Sequence, residues 1–215
     1  MKMPEMMLFD PEKIVKQLIK FADFCISQKG YFRLILAGGN TPKQVYEILE
    51  QKQPDSSKWE LFFGDERDLP INHLDRNSTM VEKTMPQLIK KARYYPISNA
   101  KDYDNLIAQK MPFDLVLLGV GEDGHTASVF PNKTYTYLDH VQIIEDAPKP
   151  PPRRISLSIN TLNNTQQTWV FMTGESKKNI LKQWLNHNED LPITSIKPIE
   201  KLTLFGGDSL LSVVK

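Results

Sequence analysis

The sequence predicts an α/β fold built on a largely parallel sheet with helices covering both of its faces. Short apolar runs of strand length alternate along the chain with longer segments whose apolar residues recur at helical spacing. The runs are nearly uninterrupted, which is typical of strands buried on both faces. Because strands separated by helices usually pair in parallel, this alternation indicates a layered α/β sheet.

The composition indicates an ordinary globular protein. Hydrophobic residues make up 40% and charged residues 25% of the 215 residues, and we expect one domain over residues 1–215. The 27 Lys and Arg nearly balance the 26 Asp and Glu, so the formal net charge is +1. This balance argues against nucleic acid and membrane partners, and an anionic ligand would need a local cluster of cations.

The cysteine content and the first residues predict a cytoplasmic protein. Cys25 is the single cysteine, which excludes an internal disulfide and a multi-thiolate metal site. Pro4, Glu5 and Asp10 stand where a signal peptide would need an unbroken apolar run. No stretch approaches the roughly 18 apolar residues of a membrane helix. We expect a monomer or a weak homo-oligomer.

The first predicted elements are a helix, a strand and a second helix. Residues 11–28 carry apolar positions at helical spacing, and Gly30 ends this helix. The apolar run over residues 31–39 closes in two glycines and predicts a buried strand. Thr41 is followed by a proline and a glutamine in a capping-box pattern, so we expect it to be the N-cap of a helix through Leu49.

The same alternation continues along the chain. Residues 59–68 predict a strand that runs into a charged loop, and residues 78–91 a helix that Pro86 interrupts. Further on, the sequence predicts strands at 113–119, 154–160, 169–174 and 202–207, and a helix around residues 180–185.

Ligands of open parallel sheets bind outside the carboxyl ends of the strands. One such end is Gly38-Gly39-Asn40-Thr41, where glycines allow close approach to the backbone and the next helix offers free N–H groups to a phosphate. A tight turn with a good helix cap explains these residues equally well.

A second strand end carries four charged residues, Asp65 to Asp68, after Gly64. Within it, Arg67 can bind a phosphate bidentately or stabilise an oxyanion. The alternatives are a structural network of carboxylates around one arginine, or a solvated loop.

A third strand end, residues 119–128, combines glycines with a histidine. Its start matches G-x-G-x-x-G, but Phe130-Pro131 would cut a following helix short, which disfavours a dinucleotide site. A neutral imidazole at His125 can take a proton from water, with Asp123 or Glu122 to orient it. A capping or buried histidine is the alternative.

A fourth element, Lys149-Pro-Pro-Pro-Arg153-Arg154, places three cations around a stiff turn just before a predicted strand. The prolines stiffen the turn, which reduces the conformational entropy lost when it binds an anion. An exposed basic loop is the alternative.

Together these segments resemble the 6-phosphogluconolactonase family, part of the larger group that includes glucosamine-6-phosphate isomerase/deaminase. The most specific string is GEDGHTAS followed by Phe-Pro. The tail after Leu202 lacks the tryptophan expected near the family's C-terminus. The resembling segments, in order, are residues 37–49, 62–70, 113–131, 146–163 and 170–177.

The resemblance implies a NagB/RpiA-like three-layer Rossmann-type domain that hydrolyses 6-phospho-D-glucono-1,5-lactone to 6-phospho-D-gluconate in the oxidative pentose phosphate pathway. No metal and no cofactor are expected. His125 is then the general base, Asp123 orients it, and Arg67 stabilises the oxyanion. The expected substrate-binding residues are Gly38, Gly39, Asn40, Thr41, Asp65, Gly121, Gly124, Lys149 and Arg153.

Two other functions are open at this point. A sugar-phosphate isomerase or deaminase has the pattern D-G-H-I-A-F-N-E, whose glutamate supports ring opening; Phe130 stands there and cannot move a proton. A non-catalytic sugar-phosphate sensor would tolerate loss of the base, yet His125 and both neighbouring carboxylates are present.

Overall fold

The computed structural model describes residues 3–212. Its strands are, in chain order, β1 (Glu5–Leu8), β2 (Phe32–Leu36), β3 (Trp59–Phe63), β4 (Asp65–Arg67), β5 (Arg93–Tyr94), β6 (Phe113–Gly119), β7 (Thr136–Tyr137), β8 (Val141–Ile144), β9 (Arg154–Leu157), β10 (Thr165–Met172) and β11 (Lys201–Gly206). Its α-helices are α1 (Pro11–Lys29), α2 (Asn40–Lys52), α3 (Asn77–Thr84), α4 (Pro86–Lys91), α5 (Ala100–Lys110), α6 (Ile159–Asn163), α7 (Lys178–Leu185) and α8 (Asp208–Leu211).

Seven strands form one sheet in the order β1-β11-β10-β6-β2-β3-β5, and every pairing in it is parallel. The chain builds outward from β2 to β3 and β5, and then places β6, β10 and β11 on the other side of β2. The prediction of an α/β fold with a mostly parallel sheet is confirmed.

The order of the strands reverses between β2 and β6, and there the two strands separate early. Their register joins Leu34 to Leu115 and Ile35 to Val116, whereas β6 stays paired with β10 as far as Gly119. Beyond these pairs the sheet opens at the carboxyl ends of its strands, which is where open parallel sheets bind ligands.

The central strands supply much of the core. All five residues of β3 and the first six of β6 are buried. Each fully buried large apolar side chain contributes about 1.5–3 kcal/mol, so these strands fix the position of the segments that follow them.

Helix α1 follows the prediction closely. Its apolar stripe is buried against the core, and Gly30 ends the helix in the left-handed conformation at φ 85°. The Asp10 carboxylate caps the start by accepting a hydrogen bond from the Lys13 N–H at 3.2 Å. Cys25 lies in the core, where burial raises the pKa of its thiol to about 12. The thiol therefore stays protonated and unreactive at neutral pH.

The predicted cap of α2 is wrong. The helix begins at Asn40 with Gly39 as N-cap, and no side chain caps it. The Thr41 hydroxyl instead pairs with the hydroxyl of Thr173, just beyond β10, at 3.0 Å. Because the helix begins earlier than predicted, Thr41 is not its N-cap, and the first N–H groups of α2 are left without a side-chain cap.

A second, four-stranded antiparallel sheet, β4-β9-β8-β7, was not predicted. Residues 65–67, expected in a charged loop, form β4 and pair with β9. The predicted strand over 154–160 ends at Leu157, and α6 follows. The break at Pro86 between α3 and α4 is confirmed. No helix within residues 3–212 has the length and apolar character needed to cross a membrane.

Candidate active site

A crevice of about 650 Å³ lies where β2 and β6 separate. The turn between β2 and α2 and the loop after β6 form one part of its wall. Residues of β4 and β9, from the small sheet, form another part. The crevice thus collects the charged and glycine-rich segments that the sequence placed at strand ends.

His125 lines this crevice with 27% of its side chain exposed. Its Nδ1 lies 2.5 Å from Oδ1 of Asp123, which also accepts the His125 backbone N–H at 3.1 Å. An ionised carboxylate only accepts hydrogen bonds, so Nδ1 carries the proton. Nε2 has no hydrogen-bond partner among residues 3–212 and keeps a lone pair for a proton.

The ionisation of Asp123 is set by two opposing effects. Burial raises the pKa of its carboxyl, but the hydrogen bonds that His125 donates to it outweigh this and hold the pKa below its usual value. Asp123 is therefore ionised at neutral pH and fixes both the tautomer and the orientation of the imidazole.

The turn before α2 presents backbone to the crevice. Gly38, Gly39, Asn40 and Thr41 all line it. Gly39 has φ 102°, and a Cβ on Gly38 would overlap the amide of Asn77. Both positions therefore require glycine, and the uncapped N–H groups at the start of α2 form a site suited to a negatively charged oxygen.

Asp65 lines the crevice, but protein groups engage both of its carboxylate oxygens. Ser128 Oγ donates to Oδ2 at 2.5 Å, and Asn77 Nδ2 donates to Oδ1 at 3.2 Å. The residue as a whole is 8% exposed. It joins three lining segments to one another, which gives it a supporting role that its charge in the sequence did not indicate.

Arg67 and Arg154 stand side by side across the β4–β9 pairing. Arg67 Nη1 donates to the Asp75 carbonyl at 2.5 Å, while its Nε is buried with no hydrogen-bond partner among the described residues. Burial, with the neighbouring charge of Arg67, lowers the pKa of Arg154. Two adjacent guanidinium groups facing one crevice favour an anion between them.

Two lysines extend this cationic wall. Lys149 and Lys177 both line the crevice. Burial lowers the pKa of Lys177; Glu122 opposes this shift and Lys149 adds to it. Arg154 Nη2 donates to the Lys149 carbonyl at 3.0 Å, which joins these two residues of the wall. Lys177 was not predicted, although its segment carries part of the family resemblance.

The structure does not bring Arg153 to the crevice. Its Nε lies 2.6 Å from Asp68, and its Nη1 lies 3.7 Å from Glu145. Successive residues of an extended chain point to opposite sides, so the arginine that faces the crevice is Arg154. Of the predicted cations of this segment, Lys149 lines the crevice and Arg153 does not; Arg154 lines it in its place.

Two tyrosines hold the backbone around the crevice in the same way. The hydroxyl of Tyr46 accepts from the Ala37 N–H at 2.9 Å and donates to the Ala37 carbonyl at 2.8 Å. Tyr103 does the same for Phe63, at 2.8 Å in each direction. Where strands separate, backbone N–H and C=O groups lose their partners on the neighbouring strand. These tyrosine hydroxyls form hydrogen bonds with them instead.

Neither a metal centre nor a dinucleotide site is indicated. Within residues 3–212, no group of three or more His, Cys, Asp or Glu side chains is placed to hold a metal ion. The glycines of 119–124 are followed by turns rather than by a helix. The helix N-terminus that would bind a pyrophosphate in a dinucleotide fold is therefore missing from this segment.

Comparison with known proteins places this chain in a family. The family model described as glucosamine-6-phosphate isomerases/6-phosphogluconolactonase matches residues 11–205. A probable 6-phosphogluconolactonase of Schizosaccharomyces pombe is 33% identical over 184 residues, covering 73% of this chain and 72% of that protein. Probable 6-phosphogluconolactonase 4 of Arabidopsis thaliana is 32% identical over 203 residues, covering 80% and 77%. The crystal structure of 6-phosphogluconolactonase from Thermotoga maritima has a TM-score of 0.86 at 23% identity, covers 96% of this chain and 100% of that chain, and shares the fold.

Proposed function

This chain belongs to the glucosamine-6-phosphate isomerase/6-phosphogluconolactonase family, and we propose that it hydrolyses 6-phospho-D-glucono-1,5-lactone to 6-phospho-D-gluconate. The observation that carries the proposal is the His125 imidazole, held by Asp123 through Nδ1 at 2.5 Å, in a crevice with a cationic wall. A base and a set of cations in one crevice suit an ester that carries a phosphate.

The proposed base is Nε2 of His125. It takes a proton from a water whose oxygen attacks the lactone carbonyl carbon. Such general-base help is worth about 10²–10⁴-fold in rate. The charge of Asp123 stabilises the imidazolium that forms, as the carboxylate does in other His–Asp pairs. As the ring ester breaks, the imidazolium returns the proton to the departing ring oxygen, so the histidine ends the cycle neutral.

The negative charge that develops on the carbonyl oxygen needs a donor. Arg67 fits this role because it is a cation that lines the crevice and stands beside Arg154 across the β4–β9 pairing. Backbone N–H groups at the start of α2 and in the 119–124 loop are further donors at the crevice. Removing one oxyanion donor costs about 3–4 kcal/mol of transition-state stabilisation in well-studied cases.

The phosphate is proposed to bind the remaining cations, Arg154, Lys149 and Lys177. Arg154 is fixed in place, since its guanidinium donates to the carbonyls of Pro151 and Lys149 at 2.7 and 3.0 Å. A preorganised guanidinium loses little entropy on binding an anion. Binding energy from this end of the substrate positions the carbonyl next to the base.

The rest of the proposal follows from the same residues. Water activated by His125 needs no metal, so we propose a reaction independent of metal and cofactor. Residue 130 is a phenylalanine, which lacks the carboxylate that ring opening of an amino sugar phosphate would require.

A single, buried cysteine fits the reducing cytoplasm, where we place the protein as a monomer or weak homo-oligomer.

The experiment is a pH-stat or NMR assay on freshly made lactone, corrected for spontaneous hydrolysis, with and without EDTA. His125→Ala should lower kcat by about 10²–10⁴-fold, while the melting temperature stays within a few degrees of the wild type. His187→Asn is a matched control, since His187 is exposed, adopts φ 59° and does not line the crevice. Near-full activity of His125→Ala would contradict the role of the base. Release of fructose 6-phosphate from glucosamine 6-phosphate would indicate an isomerase or deaminase.

A further inference from the structure

The imidazole of His125 is held on its face as well as at its edge. The ring of Phe130 packs against it with the ring centroids 4.6 Å apart and the planes inclined by 42°. Phe130 is 7% exposed and belongs to a small apolar cluster with Ile144 and Ala147. The position of the Phe130 ring therefore limits how the imidazole can tilt.

The backbone of Phe130 is in turn held by one hydroxyl. Tyr135 OH accepts the Phe130 N–H at 2.6 Å and donates to the Phe130 carbonyl at 2.7 Å. This is the arrangement that Tyr46 makes with Ala37 and Tyr103 with Phe63. Here the residue that is held touches the proposed base directly.

Tyr135 is itself well anchored. Its ring meets the ring of Tyr137 edge to face at 6.0 Å and packs on the Phe130 cluster. Burial raises the pKa of its hydroxyl to about 12, so the group stays protonated and keeps its donor at neutral pH. Lys133 and Asp146 form an ion pair that ties the same segment to the residues after β8.

We propose that Tyr135 is a positioning residue for the general base, acting through Phe130. The proposal rests on the function proposed above. With the hydroxyl in place, Phe130 is fixed and the imidazole points its Nε2 into the crevice. The proposed phosphate-binding cations lie on other segments, so loss of the hydroxyl should affect the chemical step more than binding. A displacement of about 1 Å at a reacting group can lower a rate as much as 10²-fold.

The test compares Tyr135→Phe with Tyr137→Phe. The first variant keeps the ring and removes both hydrogen bonds to Phe130; the second removes an exposed hydroxyl from the neighbouring ring. For Tyr135→Phe we expect kcat to fall about tenfold with KM within about twofold of the wild type. Tyr137→Phe should leave both constants unchanged. Thermal melting of each variant reports whether the fold is retained.

A second readout does not depend on turnover. The readout is the NMR spectrum, because the ring current of Phe130 shifts the proton resonances of the His125 imidazole. These resonances are assigned as the signals that disappear in His125→Ala. These resonances should move in Tyr135→Phe and stay in place in Tyr137→Phe. If the wild type hydrolyses the lactone and Tyr135→Phe changes neither kcat nor the resonances, the positioning role is overturned. A wild type without lactonase activity whose resonances still respond would overturn the proposed function, while the positioning of the imidazole by Tyr135 would remain supported.

The route through Phe130 is tested by a double variant. Phe130→Leu keeps an apolar side chain but removes the flat ring. If Tyr135 acts through Phe130, then adding Tyr135→Phe to Phe130→Leu should change kcat by less than about twofold. Two independent, multiplying losses would instead show that the hydroxyl acts by another route and would contradict the proposal.

Discussion

At the scale of single residues, glycines make the pairing of His125 with Asp123 possible. The two residues are separated by Gly124, which adopts φ 80°. A Cβ on Gly121 would overlap the imidazole, and the Gly121 N–H donates to the His125 carbonyl at 2.9 Å. The loop can therefore fold back on itself and bring a carboxylate and an imidazole two positions apart into one hydrogen bond.

The adjacent arginines allow a direct test of the cationic wall. Arg154→Lys keeps the charge but loses the planar guanidinium fork, which backbone carbonyls hold in place at the crevice. We expect KM for the lactone to rise about tenfold while kcat changes by less than about threefold, because ground-state binding is what the fork supplies. Steady-state kinetics over a range of lactone concentrations measure both constants.

Arg153→Lys is the matched control, since Arg153 pairs with Asp68 outside the crevice. We expect its kinetic constants to match the wild type. The opposite pattern, with Arg153→Lys raising KM and Arg154→Lys neutral, would place the phosphate on the other side of β9.

The difference between these arginines also marks what the sequence could predict at this scale. His125 and Asp123 share a loop with glycines, so their proximity follows from local residues. The choice between Arg153 and Arg154 depends on which residue pairs with Arg67 across two strands. That register is set by tertiary packing, and a shift of one residue exchanges the two side chains.

At the scale of elements, apolar strands could be predicted and short polar strands could not. Strands of the large sheet such as β3 and β6 are buried by their neighbours and therefore consist of long apolar runs. Such runs can be recognised in the sequence. Strand β4 consists of Asp65, Glu66 and Arg67 and carries no apolar signal. Glu66 is only 1% exposed because its carboxylate accepts the N–H groups of Asn77 and Ser78 at the start of α3.

A charged cluster joins four elements at the amino ends of the strands. Glu60 on β3 accepts hydrogen bonds from Arg33 on β2 at 2.8 Å, Lys110 on α5 at 2.9 Å and Arg93 on β5 at 3.2 Å. Although burial raises the pKa of Glu60, these three cations outweigh it and lower the pKa to about 2. A carboxylate shared in this way is a stabilising link between elements that are distant in sequence.

We therefore predict that Glu60→Gln lowers the free energy of unfolding by about 2–3 kcal/mol at pH 7, because partly buried cations lose their counter-charge. The folded pKa lies below the ordinary value of 4.5, so this contribution is complete above pH 4.5 and is lost as the pH falls towards 2. Urea unfolding at several pH values measures it. A difference between wild type and variant that stays constant from pH 7 to pH 3 would contradict the assignment.

At the scale of the whole molecule, the crevice lies between elements of two sheets. Strands β2 and β6 of the parallel sheet and strands β4 and β9 of the antiparallel sheet all contribute to it. The place of the crevice at the carboxyl ends of the strands could be predicted from the sequence, because it follows from strand direction. The second sheet could not, because its strands are short and its pairings join distant segments.

The cationic wall makes the stability of the whole chain sensitive to anions. Arg67, Arg154, Lys149 and Lys177 repel one another across a crevice, and an anion that bridges them relieves this repulsion while joining the two sheets. A ligand at 100 times its Kd stabilises a protein by about 2.7 kcal/mol. For a chain of 215 residues this corresponds to a rise in melting temperature of about 5–10 °C.

Thermal melting with saturating 6-phosphogluconate should therefore show a rise of about 5–10 °C, whereas gluconate, which lacks the phosphate, should give less than about a quarter of it at matched ionic strength. Arg154→Lys should lose about half of the shift, as a tenfold weaker Kd requires, and Arg153→Lys should keep it. Thermal melting measures binding without turnover, so this comparison tests phosphate binding independently of the base at His125. If gluconate stabilised the protein as much as 6-phosphogluconate does, the cations would not be acting on the phosphate.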